Sequence, residues 1–502
     1  MPVLKTALPA PPTPVAIRHR WLLVAGTLGL LLVAALLLRR PLAGVAVRGV
    51  LHLLGAEQAR FQVVRASPWR LELAGVEFRV RTQDFAADRV TIDRPHWWSP
   101  TLGVVRAAAA RVAISLDGSG VDPWHWASYR NGEVRIQPFK LPFDEFSAVG
   151  TLVVRTAGTP ETEIASQFAL RRATARRWAG PYRLQADGLD AAGALEVEPG
   201  GGSVAFTVDR LELEVGTWQE VLQRLVPPPG GPARIGGHVT GHAAGRVAAG
   251  RVQVGGELHL RAGSYRHPTR AIAADGVEFD LELLNQPHFA TKPGALHVRE
   301  LRIGRLALHD IVATFGLESS NRLAVRQASF STLGGHATVE PFQYRIDGPG
   351  EVNLTVLAEG LELAEVLKLA PGVPVRGQGR IDGRLPLRID TGGARLDRGW
   401  LALVSGTRAE LELHAPGWLT RGMRESDESY IERQQLEHGL RRIEAGELRL
   451  DLHPPEAPRD VSSRLHLAGE PSGGGAPVAL DLDVSRPLES LVELDLDSFE
   501  PR

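Results

Sequence analysis

The chain has 502 residues, 43% hydrophobic and 23% charged, with Lys+Arg 57 against Asp+Glu 58 for a net charge of -1. That is a folded composition with length for about three domains, and the even charge, with no basic excess, argues against polyanion binding. Cys 0 excludes disulfides, thiolate chemistry and sulfur-ligated zinc, and fits a reducing cytosol or a bacterial periplasm equally well.

The first predicted element is "WLLVAGTLGLLLVAALLL", Trp21 to Leu38, 18 residues without a charge between Arg18 and Arg20 on one side and Arg39 and Arg40 on the other. At about 1.5 Å per residue it reaches about 27 Å, enough for a hydrocarbon core. A cleaved signal peptide has a shorter apolar run followed directly by small residues. Here two arginines and Pro41 precede the first small-x-small site at Gly44 and Ala46. Residues 21–38 are therefore expected to be a retained single-pass anchor, and residues 1–20 a cytoplasmic tail. Lys5, Arg18 and Arg20 balance Arg39, Arg40 and Arg48, so the flanking charge does not orient the span.

Residues 39–60 follow, with Val47, Val50, Leu51 and Leu54 at helical spacing, and predict a short juxtamembrane helix. From Phe61 the text changes to short alternating runs such as "WRLELAGVEFRV", "RVTIDRP" and "GTLVVRT", broken by Gly, Pro and Asp. These are strands with turns, and residues 61–204 are expected to form a first β region. "PPPGG", Pro227 to Gly231, is the one stretch that looks like a break.

Residues 205–502 form the second expected region. Two stretches in it look duplicated: "LELEVGTWQEVLQRLVPPPGGPARIGGHVTG" from Leu211 and "LAEGLELAEVLKLAPGVPVRGQGRIDGRLPL" from Leu357. Val221 and Val366 are 145 positions apart, and Ile235 and Ile381 are 146. Each copy reads as strand, short amphipathic helix, Pro/Gly turn and strand. In "GRIDGRLPLRID", Ile381, Gly383, Leu385, Leu387 and Ile389 face away from Arg380, Asp382, Arg384, Pro386, Arg388 and Asp390. A charged helix over about 426–445 follows, with Ser426 or Asp427 as cap and Gly446 as stop. "ELRLDLH", "SSRLHLAG" and "PVALDLDV" close the chain as strands, Leu480, Leu482 and Val484 lying opposite Asp481 and Asp483.

Catalytic constellations are scarce. The 16 His are scattered, and no H-E-x-x-H, G-x-S-x-G or Walker loop occurs. In "GQGRIDG" the glycines Gly377, Gly379 and Gly383 are one residue too widely spaced for a dinucleotide loop, and a strand follows where a helix is needed. "HWWSP" at His96 and "DPWHWASY" at Asp122 read as aromatic packing, with Trp124 and Trp126 either buried or at a membrane interface. No metal, cofactor or nucleic acid is expected, and no enzymatic activity.

What covers the apolar strand faces decides the function. Pattern alone favours faces that close on each other in a sandwich or barrel. The segments "GLELAEVLKL", "GQGRIDGRLPLRI" with "ARLDRGWLAL", the helix from Ser426 and "LHLAGEPSGGGAPVALDLDVSRPLESLV" resemble the YdbH family, related in architecture to AsmA-like and TamB-like envelope proteins. The resemblance covers roughly residues 205 to 500.

It implies a mainly β protein of the bacterial inner membrane, with its bulk in the periplasm. An N-terminal transmembrane helix would carry an elongated, curved, antiparallel-rich sheet with a few short amphipathic helices. That sheet would form an open apolar groove passing phospholipids towards the outer membrane. Ile381, Leu385, Leu387, Ile389, Leu411, Leu413, Leu448, Leu450, Leu452, Leu480, Leu482 and Val484 are then the groove candidates. At about 0.8 kcal/mol per CH₂, carrying two acyl chains of about thirty carbons through water costs on the order of 25 kcal/mol. Some thirty strands at about 4.8 Å give about 140 Å of groove, and the chain is shorter than well-known relatives. A small outer-membrane lipoprotein is therefore the implied partner, adding a strand near Leu480 to Leu496. A dicarboxylate-transport role, also attached to the family, fits poorly, because one span encloses no polar path. The competing reading is a membrane-anchored β-rich scaffold or envelope assembly factor whose apolar faces are closed.

Overall fold

Alternating runs with one apolar face satisfy their backbone groups only by pairing with neighbours. The computed structural model shows that pairing throughout the strand-rich part of the chain. It describes residues 39–484 apart from 42, 50, 53–55, 81–82, 94–102, 117–126, 131–132, 137–142, 157–160, 199–201, 226–232, 249–250, 269–270, 287–289, 320–321, 346–351, 370–374, 391–392, 414–416, 418–419, 421–423, 425–428, 440, 454–462, 473 and 475. The expected anchor, Trp21 to Leu38, lies outside the described residues, among which no helix is long and apolar enough to cross a membrane. The described residues form 29 strands and three short helices, besides helical backbone at 39–41, 43–49 and 51–52. Helix therefore gives way to strand before residue 60. The strand Ala56–Ala66 begins where the apolar positions Phe61 and Val63 take up a period of two.

The chain divides into two compact units, residues 1–123 with 139–184 and residues 124–138 with 185–502. The boundary expected at 204/205 falls inside the strand Ser203–Glu214. In the first unit Ala56–Ala66, Arg70–Val80, Gln83–Asp93 and Val104–Leu116 form an antiparallel meander. Glu145–Thr156 then pairs parallel to Val104–Leu116, and Thr162–Thr174 antiparallel to Glu145–Thr156. A parallel pair needs a long crossover, and residues 117–142 provide it. Their hairpin, Ala127–Arg130 with Glu133–Ile136, is part of the second unit, where it lies against Arg234–Ala248 and Arg251–Arg266.

The second unit is an antiparallel succession: Leu189–Glu198, Ser203–Glu214, Arg234–Ala248, Arg251–Arg266, Ile272–Gln286, Gly294–Ile303, Leu306–Ser319 and Arg322–Thr332. Gly335–Val339, Val352–Glu362, Arg380–Asp390, Gly399–Leu403, Arg442–Leu452, Ser463–Pro471 and Val478–Val484 continue it. The helix Tyr430–Gly439 ends at Gly439. Gly446 is not its stop but sits at a register shift inside Arg442–Leu452, where an extra residue is accommodated in the ladder.

Such shifts recur on neighbouring strands. Gly75 and Ala109 in the first unit, and Gly237, Ala262, Gly276 and Asp310 in the second, have positive φ at places where the pairing skips a residue. A bulge bends its strand and strengthens its twist, so bulges lying side by side bend a sheet along one line. The extra residue also resets the alternation, keeping Leu260 and Gly263, three positions apart, on one face.

Burial is one-sided. Among the described residues the largest side chains less than 2% exposed are Val153 and Ser463, where a sandwich of this length would seal many leucines and phenylalanines. Close backbone approach is instead met by glycine: a Cβ at Gly150 would stand 1.8 Å from the Ala110 carbonyl oxygen. Gly150→Ala is therefore expected to cost about 2 to 4 kcal/mol in denaturant unfolding. Gly446→Ala, with nothing within 4 Å, should stay within about 0.5 kcal/mol of the parent.

Candidate functional site: a one-sided apolar wall

Antiparallel partners point their side chains to the same face, with Cβ atoms about 5 Å apart, so register decides which residues form a continuous surface. In the first unit Val63, Leu73, Val90, Ala107, Ala148 and Phe168 are successive partners across six strands. Phe78, Phe85, Val112, Leu152 and Ile164 make a second row on the same face, with the Phe78 and Phe85 rings stacked at 4.6 Å.

The second unit carries a longer row. Leu189 pairs with Leu213, Leu213 with Val239, Val239 with Leu260, Leu260 with Phe279 and Phe279 with Leu296. It continues through Ala313, Ala328, Val339 and Val356 to Leu385. All eleven positions are apolar, and all but the buried Ala313 remain half-buried. Neighbours along the row cover their flanks; their tips are left to whatever lies above the sheet.

The opposite face is charged. Asp280 accepts hydrogen bonds from His259 and Arg261 at 2.6 Å each, and these hold its carboxyl below the usual range. Asp93 sits between Arg70 and Arg106, and Asp84 between Arg79 and Arg155, with the same consequence. Exposed pairs of this kind add little stability; they keep one face in water while the other is apolar.

Among the described residues the second unit's wall is roofed by its own chain at the helix Leu363–Lys368. From the helix Leu363–Lys368, buried Leu363 and partly buried Val366 and Leu367 pack onto Ala358, Leu361, Ile381, Ala409, Leu411 and Ile443. The helix fits because Gly377 lies beneath it: a Cβ there would approach Leu411 Cδ2 to 2.8 Å and Leu363 Cδ2 to 3.0 Å. The helix Gln219–Leu225 occupies the corresponding place in the earlier copy of the motif, and polar contacts fix it. Trp218 Nε1 donates to the Asp187 carbonyl at 3.0 Å, and Gln219 Oε1 accepts from the Ile235 amide at 2.9 Å.

The twelve sequence candidates are distributed unequally. Ile381, at 2% exposure, and Leu411 lie under the Leu363–Lys368 helix, with Leu448 and Leu480 packed beside the same cluster. Leu385 and Leu387 are half-buried and pair with Val356 and Leu354. Leu450 pairs with Leu401 and Leu465, and buried Leu452 pairs with Gly399 and Ser463. Ile389, Leu413, Leu482 and Val484 are placed in their strands by backbone pairing, opposite Val352, Val375, Leu465 and Ser463, while their side chains lie outside the described set. The row from Leu189 to Val356 and the phenylalanine pair escaped the sequence reading. Bulges break the alternation in those strands, and Gly- and His-rich runs such as "GGHVTGHAAG" hide it. Among the described residues no three His, Asp or Glu side chains gather as a metal site.

These features define a class: an open β-sheet with one apolar wall and one wet face, built for contact along its length. A profile of the YdbH-like family, described as intermembrane phospholipid transport protein YdbH, matches residues 123–403, more than half of the chain. The chain belongs to that family, one of lipid transport and not of enzymes. The match starts well before residue 205 and ends before the helix Tyr430–Gly439. No curated protein and no solved structure matches the chain.

Two outcomes are expected. Leu363→Ala should destabilise the second unit by about 2 to 5 kcal/mol in denaturant titration, the range for truncating a buried leucine. His466 lies 2.7 Å from Asp481 and 3.5 Å from Glu447, and its hydrogen bond with Asp481 raises its pKa. A raised pKa gives stability that is complete below the ordinary histidine value near 6.5 and is lost as pH climbs through the raised one. Amide exchange in Val478–Val484 should accordingly speed up over that interval, and His466→Gln should flatten the dependence.

Proposed function

We propose that the chain is a bridge that conducts phospholipids between inner and outer membranes, acyl chains lying along the apolar wall and headgroups staying in water at its rims. The observation that carries this reading is the register row from Leu189 to Leu385, apolar at every strand and half-buried along its length. A wall covering half of the tails' surface offsets on the order of 12 kcal/mol of the roughly 25 kcal/mol that two chains cost in water. Family membership supplies the cargo, phospholipid. Translocation along such a wall needs no nucleophile or metal. In this reading the apolar run Trp21 to Leu38 holds one end in the inner membrane and the rest lies in the periplasm. The last described strand, Val478–Val484, pairs with Ser463–Pro471, and among the described residues no strand takes its other edge. Such an edge suits strand addition by a small outer-membrane lipoprotein. A scaffold would need the sealing seen around Ile381 to extend along the whole wall.

The test is photo-crosslinking in the full chain. A benzophenone side chain at Leu260 or Leu296 is expected to capture phospholipid, identified by mass spectrometry. Leu296→Asp with Val356→Asp should abolish capture at Leu260 while the protein remains inserted and protease-resistant. Capture of protein side chains alone at both positions would replace the conduit with the scaffold.

A further inference from the structure

The two copies of the strand–helix–strand motif differ in how far the chain closes over its own wall. Ile235 and Ile381 hold the same place in their copies, 146 positions apart, yet Ile235 is half-buried and Ile381 is 2% exposed. Along the strand Arg234–Ala248 the wall positions Ile235, Val239, Ala243 and Val247 are all half-buried. At about 3.3 Å per residue, that strand presents about 40 Å of open wall from Ile235 to Val247.

The helix Leu363–Lys368 divides the two strands beneath it. On Val352–Glu362 the wall positions Ala358 and Leu361 are 3% and 4% exposed, while Val352, Leu354 and Val356 stay half-buried. On Arg380–Asp390 Ile381 and Gly383 are buried, while Leu385 and Leu387, the partners of Val356 and Leu354, stay half-buried. Both strands change from closed to open at one register step, between the pair Ala358 with Gly383 and the pair Val356 with Leu385. Leu401, packed against the cluster under the helix, fills the space over Gly383, where a Cβ would stand 2.4 Å from its Cδ2. What stays open is a lane from Val352 to Val356, about 13 Å along the strand. Its closed margin is firm, because the cluster around Leu363 ties the helix to Val352–Glu362, Arg380–Asp390, Ala409–Leu413 and Arg442–Leu452.

With carbons in contact about 4 Å apart, an acyl chain takes up about 5 Å of wall, two chains side by side about 10 Å and four about 20 Å. The strand Arg234–Ala248 has room for four. The lane beside the helix has room for two, and chains left off the wall stay in water, which opposes passage. We propose that the helix Leu363–Lys368 sets the width of the conduit: the lane formed by Val352, Leu354, Val356, Leu385 and Leu387 passes phospholipids with two acyl chains and stops those with four. This inference rests on the conduit reading above and names the lipid class that the conduit carries.

Photo-crosslinking on either side of the helix provides the test. In strand order Leu260 comes before the lane and Leu465 after it, so a benzophenone side chain at each position reports lipid that has not passed and lipid that has. Full-length protein is reconstituted in phosphatidylethanolamine vesicles containing either radiolabelled phosphatidylglycerol, with two acyl chains, or radiolabelled cardiolipin, with four. Both lipids should label Leu260. The ratio of labelling at Leu465 to labelling at Leu260 should be at least about tenfold lower for cardiolipin, whose extra tails find no wall in the lane. Val356→Trp, which narrows the lane, should lower phosphatidylglycerol labelling at Leu465 several-fold and leave a one-chain lysophosphatidylglycerol able to reach it. Val239→Trp, on the widely open strand, should label Leu465 as the parent does. Equal ratios for the two lipids, or a Val356→Trp protein that labels Leu465 like its parent, overturn the width limit and leave the conduit standing. The comparison of the two lipids needs no lane substitution, so it decides the matter even where Val356→Trp fails to fold. An absence of labelling at Leu260 by either lipid removes the conduit, and the width limit with it.

Discussion

Main-chain hydrogen bonding between antiparallel neighbours is the interaction on which this protein depends. In a layered domain two apolar faces hold each other, and pairing within each sheet follows. Here, outside a few roofed places, pairing keeps strands together while their apolar faces stay half-buried. Each strand borrows its order from the next, and contacts beyond immediate neighbours are few. Register is therefore the quantity under strictest control, since a slip of one residue would turn an apolar row to water and a charged row to the wall.

The bulges reconcile two demands on that register. A sheet of this kind has to bend if it is to cradle anything, and bending requires extra residues. An extra residue would ordinarily exchange the two faces beyond it. At positions such as Gly237, Ala262, Gly276 and Asp310 the insertions leave the apolar side apolar throughout, and a bulge bends the strand that carries it. Three of these four positions hold glycine or a short polar side chain, residue types that tolerate a positive φ; Ala262 adopts it under strain.

Where the chain covers its own wall among the described residues, it does so with short helices. Gly377 admits the Leu363–Lys368 helix, whereas a Cβ at Gly44 would meet Val63 only in ordinary contact. The two covers differ in depth. Leu363 is one of nine buried residues in a cluster that joins several strands, so that helix is part of the fold. Val47 adds one partly buried side chain beside the first unit's cluster.

Much of this was legible in single strands. The charged and apolar faces of "GRIDGRLPLRID", the succession of strands and turns, the short helix after Leu361 and the family resemblance all follow from local pattern, because a strand's period and a helix's period are written in its own residues. Two features were not. Bulges disguise alternation, so strands such as Arg234–Ala248 and Arg251–Arg266 carry the longest apolar row without showing it, and Gly446 reads as a helix stop while serving as an inserted residue in a ladder. The sequence by itself determined that most of the chain would be one-sided strands. Which side chains align across strands, and which leucines, like Ile381's neighbours, are sealed by the chain itself, was decided only by tertiary structure, because register and roofing are relations between residues far apart in the chain and no single segment contains them.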